Sequence, residues 1–456
     1  MLYFRENEKD LLSRFFHRTD EKAMAIYGRR RTGKTQLILD FLSENGSEDA
    51  VYFQCASFDY QTCLQDFISC FQVRFPEDPV LQRLGSFREI FSYLPKLTET
   101  KLAIIIDEFP FLAKKDENVA VEFQWIIDHA LQGNKLVLLG SSLSFMRRQI
   151  NQREAPLYGR FDEILEVRPF LFHEVHTLFP DFEDAVQVYA QTGGVAQYVM
   201  FFLRYSSPAE ATKKLFLDRN GRLFQEANNM LLQELRDPST YAGILRAISS
   251  GEKTAAQIAD RCGLDPRGVF TYLNKLSELE IVTPVENLLS SRKKERRYKI
   301  GDFFFRFHYS FIEPNISMIQ SVGLSSYSFI FGDRYQEYLG FVYEDIIRDN
   351  CFQYALDGKL TFMPVTTGKW WGNVCLEGTW TESEIDVLAF DDHTIVLGEC
   401  KFRNKKIGLK ELNLLLAKAQ FVPVKGRKIY YLLASRSGFT EDLSALSDDV
   451  ILIEKV

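Results

Sequence analysis

The sequence predicts an α/β fold: a parallel sheet with crossover helices, then a helical segment, a helix-turn-helix and a second α/β unit. Three observations carry this. Residues 28–35 read Gly-Arg-Arg-Arg-Thr-Gly-Lys-Thr, directly after the apolar run 23–27. A second apolar run, 102–106, ends in Asp107-Glu108. Further apolar runs of strand length occur at 50–54, 135–140 and 164–168, with room between them for helices.

The first run and its sequel form G-x-x-x-x-G-K-[ST], a phosphate-binding loop between a strand and a helix starting near Lys34. Residues Gly28, Arg29, Arg30, Arg31, Thr32, Gly33, Lys34 and Thr35 would surround a nucleotide's phosphates with backbone N–H groups. Gly28 and Gly33 allow the tight turn. Lys34 would reach the β- and γ-phosphates, and Thr35 would coordinate Mg²⁺. A buried strand ending in two acids completes such a site: Asp107 would hold Mg²⁺, and Glu108 would orient the attacking water. Ser141, at the end of the run 135–140, would sense the γ-phosphate. The expected cofactors are ATP and Mg²⁺.

Composition narrows the class. The chain has 456 residues, 46% apolar and 26% charged, as an ordinary globular protein does. Thirty-nine phenylalanines predict well-filled cores. The formal net charge of −7 excludes a globally basic nucleic-acid coat, so any nucleic-acid surface is a local patch. No apolar stretch is long enough to span a bilayer, which predicts no membrane partner. The start of the chain lacks a secretory pattern, and the seven cysteines include no C-x-x-C pair. Together these predict reduced thiols and a cytoplasmic location.

Along the chain, residues 1–170 read as the nucleotide-binding core. Residues 171–238 are helical, interrupted at Thr192-Gly193-Gly194, and predict a lid beside that core. Residues 239–300 have the spacing of a winged helix-turn-helix: helices at 241–248, 254–264 and 267–276, then hairpin arms at 281–285 and 296–300. The basic segment 292–299 on that hairpin either grips DNA phosphates or is a solvated tip on a spacer module. Residues 301–335 read as an aromatic connector, and 336–456 as the last α/β unit.

That last unit holds a second acidic constellation. Strand 384–390 carries Asp386, a turn follows at 391–393, and strand 394–402 carries Glu399 and Lys401. Hairpin pairing places Asp386 near Glu399 and Lys401, and the latter two share a face. Asp386 and Glu399 would hold Mg²⁺, Lys401 would assist the attacking water, and Glu344 on the preceding helix would add a third carboxylate. The D…E-x-K hairpin resembles the core of the restriction-endonuclease-like nucleases.

With these pieces assembled, nearly the full chain resembles the archaeal and bacterial AAA+/STAND-type ATPases that carry a C-terminal domain of long-unknown function. The matching elements are Phe4-Arg5-Glu6-Asn7-Glu8, the phosphate loop, Leu157-Tyr158-Gly159-Arg160, Thr192-Gly193-Gly194-Val195, Gly368-Lys369-Trp370-Trp371 and Gly398-Glu399-Cys400-Lys401. Ala196 stands where the family usually has proline. The resemblance implies a P-loop ATPase, a winged helix and a restriction-endonuclease-like domain in that order. It also implies that Arg160 reaches a γ-phosphate, in its own subunit or in a neighbouring copy of a homo-oligomer; its other reading is a structural partner of Asp162 or Glu163.

The expected function is therefore a Mg²⁺-dependent ATPase whose nucleotide state controls DNA association and a C-terminal metal-dependent nuclease-like site. The alternative is a nucleotide-switched scaffold whose C-terminal fold is catalytically inactive.

Overall fold

Five apolar runs of the N-terminal third become the strands of one sheet: β1 Ala23–Tyr27, β2 Ala50–Gln54, β3 Ala103–Asp107, β4 Lys135–Gly140 and β5 Glu163–Glu166. Their order is β2-β3-β4-β1-β5, and every pair is parallel. All residues of β1 are buried, as a strand covered on both faces must be. The structure is a computed structural model and describes all residues except 1–3, 47–48, 57–58, 115, 290–295, 444–448 and 456.

The chain divides into two compact units: Met1–Phe170 with Val195–Tyr198, and Leu171–Gly194 with Val199–Val456. In the first, one face of the sheet is packed by an aromatic-rich layer that includes Phe67, Phe87, Phe91, Phe109 and Phe123. These rings meet largely edge-on or tilted at centroid distances near 5 Å, such as Phe109–Phe123 at 5.0 Å, the arrangement their quadrupoles favour. The other face packs Leu12 and Phe15 of the Glu6–His17 helix with Leu37, Ile38 and Phe41 of the Lys34–Asn45 helix. The high phenylalanine content thus goes largely into a filled core.

The second unit begins with helices Phe172–Leu178 and Phe182–Thr192, and Gly193 caps the latter in the left-handed region at φ 59°. Helices Pro238–Ile248, Ala255–Cys262 and Val269–Glu278 follow. They accompany a three-stranded antiparallel sheet, β6 Lys253–Thr254, β7 Val282–Val285 and β8 Arg297–Ile300, in the order β6-β8-β7.

The C-terminal sheet is richer than the hairpin expected from sequence. Its strands are β9 Thr366–Leu376, β10 Thr379–Phe390, β11 Thr394–Lys401, β12 Lys428–Ser435 and β13 Val450–Glu454, in the order β13-β12-β11-β10-β9. β9, β10 and β11 are antiparallel neighbours, while β11–β12 and β12–β13 are parallel. Strand β10 starts five residues before the expected 384 because β9 extends it as a partner. The two join through Glu377 and Gly378, at φ 49° and 80°, positive values that a two-residue hairpin turn requires. The Asp333–Asp349 and Leu409–Ala419 helices flank this sheet.

Candidate functional site

Strand β1 ends at Tyr27, and the loop that follows is shaped by close backbone approach. A β-carbon on Gly28 would lie 2.2 Å from the Val167 carbonyl oxygen, so no other residue fits there. Arg31 adopts φ 67°, a conformation a non-glycine residue holds only when its surroundings enforce it. Thr32 locks the turn by donating its hydroxyl to the Arg29 carbonyl at 2.8 Å. Lys34, at the first turn of its helix, is buried and donates to the Gly28 and Arg29 carbonyls at 2.9 and 2.7 Å. Burial pushes its ammonium down to about 8, while Glu108 and Asp107 pull the other way. A cation held only by neutral carbonyls is poised for an anion that outbids them.

The acids lie where β3 ends. Asp107 is buried, and its Oδ2 accepts the Thr35 hydroxyl at 2.6 Å and the Tyr52 hydroxyl at 2.8 Å. Thr35 and Asp107 therefore already share the oxygen cluster in which a hard cation would sit. Glu108 adopts φ 53°. Its carboxylate accepts the Ser141 hydroxyl at 2.6 Å on both oxygens. Ser141 and Glu108, expected to act separately, thus hold one another. Arg160 is engaged elsewhere: its Nε donates to Asp128 at 3.1 Å and its Nη1 to the Tyr158 carbonyl at 3.1 Å. Asp162, one expected alternative partner, accepts the Lys22 and Ala23 N–H groups instead.

Three residues that sequence reasoning left without a role support this loop. Arg5 is buried and donates to the Thr32 carbonyl at 3.2 Å, the Arg168 carbonyl at 2.7 Å and Glu8 at 2.8 Å. Gln197 accepts from Arg31 Nη1 at 2.6 Å, and its own N–H donates to the Arg31 carbonyl at 3.1 Å. Tyr52 gives Asp107 a second donor. Arg5 lies inside the Phe4-Arg5-Glu6 element, which was the only signal for it. Nothing in the apolar pattern of β2 marks Tyr52.

The second constellation forms in the C-terminal sheet. Val387 pairs with Gly398, which sets Asp386 beside Glu399. The register of β10 against β9 shifts between Ile385 and Leu388, so Asp386 sits at a bulge, a device that re-aims a side chain. Its Oδ2 accepts the Cys400 N–H at 2.9 Å. Its carbonyl accepts Arg348 Nε and Nη2 at 3.1 and 2.8 Å. Glu399 accepts Lys401 at 2.5 Å on one oxygen and Lys418 at 2.9 Å on the other. Burial, and next the Glu399 charge, push the Asp386 carboxyl up to about 7. Burial works against the Lys401 charge, but Glu399 and Asp386 raise its ammonium above the ordinary value. A buried carboxyl held so high is one that a cation would restore to its charged form, which fits a metal ligand.

Glu344 is nearby but does not complete the expected trio. Burial and the charges of Asp386 and Glu384 raise its carboxyl. Yet among the described residues no three His, Cys, Asp or Glu side chains form a metal-holding group. Lys418 is the residue that was missed. It follows Leu412 and Leu415 along the buried face of the Leu409–Ala419 helix, and a lysine continuing that stripe was the available signal.

The β7–β8 hairpin also differs from expectation. Residues 290–295 of the basic segment lie outside the described residues. Of the rest, Arg296 pairs with Glu286 and Arg297 with Glu382. Lys299 bonds Asp345 at 2.7 Å, and the same carboxylate takes Arg306 at 3.0 Å and Arg348 at 2.5 Å. Burial alone would raise Asp345, but Lys299, Arg348 and Arg306 hold it far below the usual carboxylate range.

No helix among the described residues is long and apolar enough to cross a membrane, and no disulfide joins any of the seven cysteines.

Comparison with known proteins agrees with the first site. Residues 3–202 match a family described as an ATPase domain predominantly from Archaea. Residues 308–412 match archaeal and bacterial proteins of unknown function. An uncharacterized protein of Methanocaldococcus jannaschii is 30% identical over 409 residues, covering 86% of this chain and 85% of the relative. A Walker-type ATPase of Pyrococcus abyssi is similar in structure, with a TM-score of 0.52 at 21% identity over 68% of this chain and 96% of its own. The ORC2 protein of Aeropyrum pernix gives 0.46 at 16% identity, covering 70% of this chain and 95% of its own. The first of these structures shares its fold with this chain, and the family match over residues 3–202 assigns that segment to an ATPase domain.

Proposed function

Because the chain belongs to the family of archaeal ATPases that carry a C-terminal domain of unknown function, we propose that its ATPase core controls a DNA-directed, metal-dependent nuclease-like site. The observation that carries the reading is the pairing of Asp386 at a bulge with Glu399 and Lys401, in a chain that also gathers Lys34, Thr35, Asp107 and Glu108 around a phosphate loop.

At the first site, Lys34 leaves the Gly28 and Arg29 carbonyls for the phosphates, and the loop N–H groups hold their charge. Thr35 and Asp107 would hold Mg²⁺, which offsets charge on the transferred phosphoryl group. Glu108 orients the attacking water once Ser141 releases it. Arg160 takes a transition-state role only by leaving Asp128.

At the second site, Asp386 and Glu399 would hold Mg²⁺, which polarises a DNA phosphate and acidifies water. Lys401 positions the attacking water and offsets charge at the phosphate. Arg348 fixes the bulge that aims Asp386. Lys418 donates to the second Glu399 oxygen and holds that carboxylate in place.

The test is cleavage of linear, supercoiled and single-stranded DNA by the full chain with Mg²⁺ or Mn²⁺, with and without ATP. Cleavage is expected in wild type and lost in Asp386→Asn, Glu399→Gln and Lys401→Ala. Its ATP response disappears in Lys34→Ala. Cleavage of none of these DNAs, or cleavage indifferent to Lys401→Ala, sinks the nuclease reading.

One observation favours a second reading, a nucleotide-switched scaffold: both oxygens of Glu399 are already taken by lysines, and among the described residues no third ligand converges. That reading expects Lys34→Ala to alter DNA or protein binding while Asp386→Ala changes nothing.

A further inference from the structure

The β7–β8 hairpin is committed to the C-terminal sheet. Asn287 bridges Lys369 of β9, and the Leu288 N–H donates to the Lys369 carbonyl at 3.2 Å. Asn287 Nδ2 also donates to the Trp371 carbonyl at 2.6 Å. Gly368 makes room for this: a β-carbon there would lie 2.4 Å from Leu288 Cδ1. Arg297 lies over the Trp371 ring at 4.6 Å and pairs with Glu382, while Lys299 is buried against Asp345. Of the basic segment 292–299, every described cation has an acidic partner.

A different stretch has the opposite character. Five of the ten residues 401–410 are Lys or Arg, none is acidic, and the chain as a whole is at −7. This loop leaves β11 immediately after Glu399 and Lys401 and runs into the Leu409–Ala419 helix, whose Lys418 returns to Glu399. The strand end before the loop and the last turn of the helix after it are therefore tied to the same carboxylate. The middle is pinned as well. Ile407 is fully buried, its N–H donates to the Gly438 carbonyl at 3.0 Å, and its carbonyl accepts the Thr440 N–H at 2.9 Å. Ser437 Oγ donates to the Arg403 carbonyl at 2.7 Å. Glu411 takes Arg403 at 2.5 Å and the Gly408 N–H at 3.0 Å, so the helix start is satisfied. Lys405, Lys406 and Lys410 remain exposed, and among the described residues none of them has an ion pair.

We infer that this loop, through Lys405, Lys406 and Lys410, is the surface that grips the phosphate backbone of double-stranded DNA at the second site. The inference rests on the nuclease-like reading for its placement but not for its test. Exposed, unpaired ammoniums recognise phosphates by charge alone, and each contact releases condensed counterions. A loop held at both ends and at Ile407 presents them without a large ordering cost. Lys405 is at most about 14 Å of chain from Lys401, a span of roughly four base-pair steps along a duplex. Backbone held there would bring a phosphodiester to Asp386, Glu399 and Lys401.

The experiment is fluorescence anisotropy of a labelled 20-base-pair DNA duplex with the full chain in EDTA, across a salt series. The triple variant Lys405→Ala/Lys406→Ala/Lys410→Ala is compared with Lys22→Ala/Lys96→Ala/Lys101→Ala, which removes equal charge from exposed positions of the other unit. The first triple should weaken binding by about tenfold or more and make the slope of log affinity against log salt shallower by about 2 to 3, near 0.9 per lost contact. The second should change affinity less than about twofold. Equal behaviour of the two triples overturns the inference, as does a wild type that binds no duplex, or one that binds an RNA duplex of the same length as tightly. A parallel Mg²⁺ cleavage assay separates the two proposals. Weakened binding by the first triple with no wild-type cleavage keeps the surface and removes the nuclease, and cleavage with unweakened binding does the reverse.

Discussion

Lys34 and Lys418 are both buried lysines near carboxylates, but their immediate partners differ. Lys34 donates only to main-chain carbonyls, and its ammonium is pushed down to about 8 by burial. Lys418 donates to a carboxylate oxygen of Glu399 as well as to the Glu384 carbonyl. The first cation feels nearby carboxylates but bonds none of them, and it can turn to an anion. The second is compensated and holds an anion in place. The same residue type thus marks a ligand-ready site in one unit and a pre-neutralised one in the other, and only the partner tells them apart. His308 extends the series: it is fully buried, its two ring nitrogens have no partner among the described residues, and burial pushes it down to about 3.

The sharpest way to break this comparison is Lys34→Ala. ATP turnover, read as phosphate release, should fall by about 10²- to 10³-fold, the usual effect of losing one preorganised charge donor. Mn²⁺ binding attributable to Asp386 and Glu399 should not change. A smaller effect on turnover would mean that Lys34 is structural.

Lys418→Met removes one of two cations from a buried carboxylate. Denaturant unfolding should show a loss of about 3 kcal/mol, the low end for breaking a buried pair, because Lys401 remains. Mn²⁺ affinity measured by calorimetry should rise, since local positive charge is lost. Weaker Mn²⁺ binding would show that Lys418 organises the site more than it neutralises it.

His308→Phe tests the partnerless case. A base whose folded value lies below its unfolded one binds more protons unfolded. Wild-type stability therefore falls as pH drops from about 6.5 towards 3, by roughly 1.4 kcal/mol per unit. At pH 5 that is about 2 kcal/mol relative to neutral pH. The variant should lose this slope in urea titrations at pH 5 and 7, and an unchanged slope would show that the imidazole finds a proton acceptor.

Tyr52→Phe is the mildest change. It deletes one of two hydroxyl donors to Asp107 and should weaken Mg²⁺-ATP binding by about fivefold, near 1 kcal/mol. No change would indicate that the Thr35 hydroxyl alone sets Asp107.

What was legible in the sequence follows from the range of the interactions. The strands of the first sheet, the phosphate loop and the acids after β3 are local patterns, and all three were readable from apolar runs with polar ends. Asp386 and Glu399 were readable because a hairpin turn of three residues fixes their register. Arg5, Tyr52, Gln197 and Lys418 were not assigned, because each reaches its partner from a distant element; the buried stripe that carries Lys418 marks it as buried but does not name Glu399 as its partner. The basic segment 292–299 stayed open between a phosphate grip and a solvated tip because the counter-charges of Arg297 and Lys299, Glu382 and Asp345, lie far along the chain. Charge density alone cannot show whether a cation is already answered.

The contact between Arg5 and the Thr32 carbonyl reaches beyond the helix that bears it. Phe4 and Arg5 act as a brace under the phosphate loop, joined to Phe170. Trimming the chain by five residues, or fusing a bulky tag there, would therefore be felt as lost nucleotide affinity by a loop more than twenty residues away. A shortened protein that fails to hydrolyse ATP would report on that brace and not on the catalytic groups.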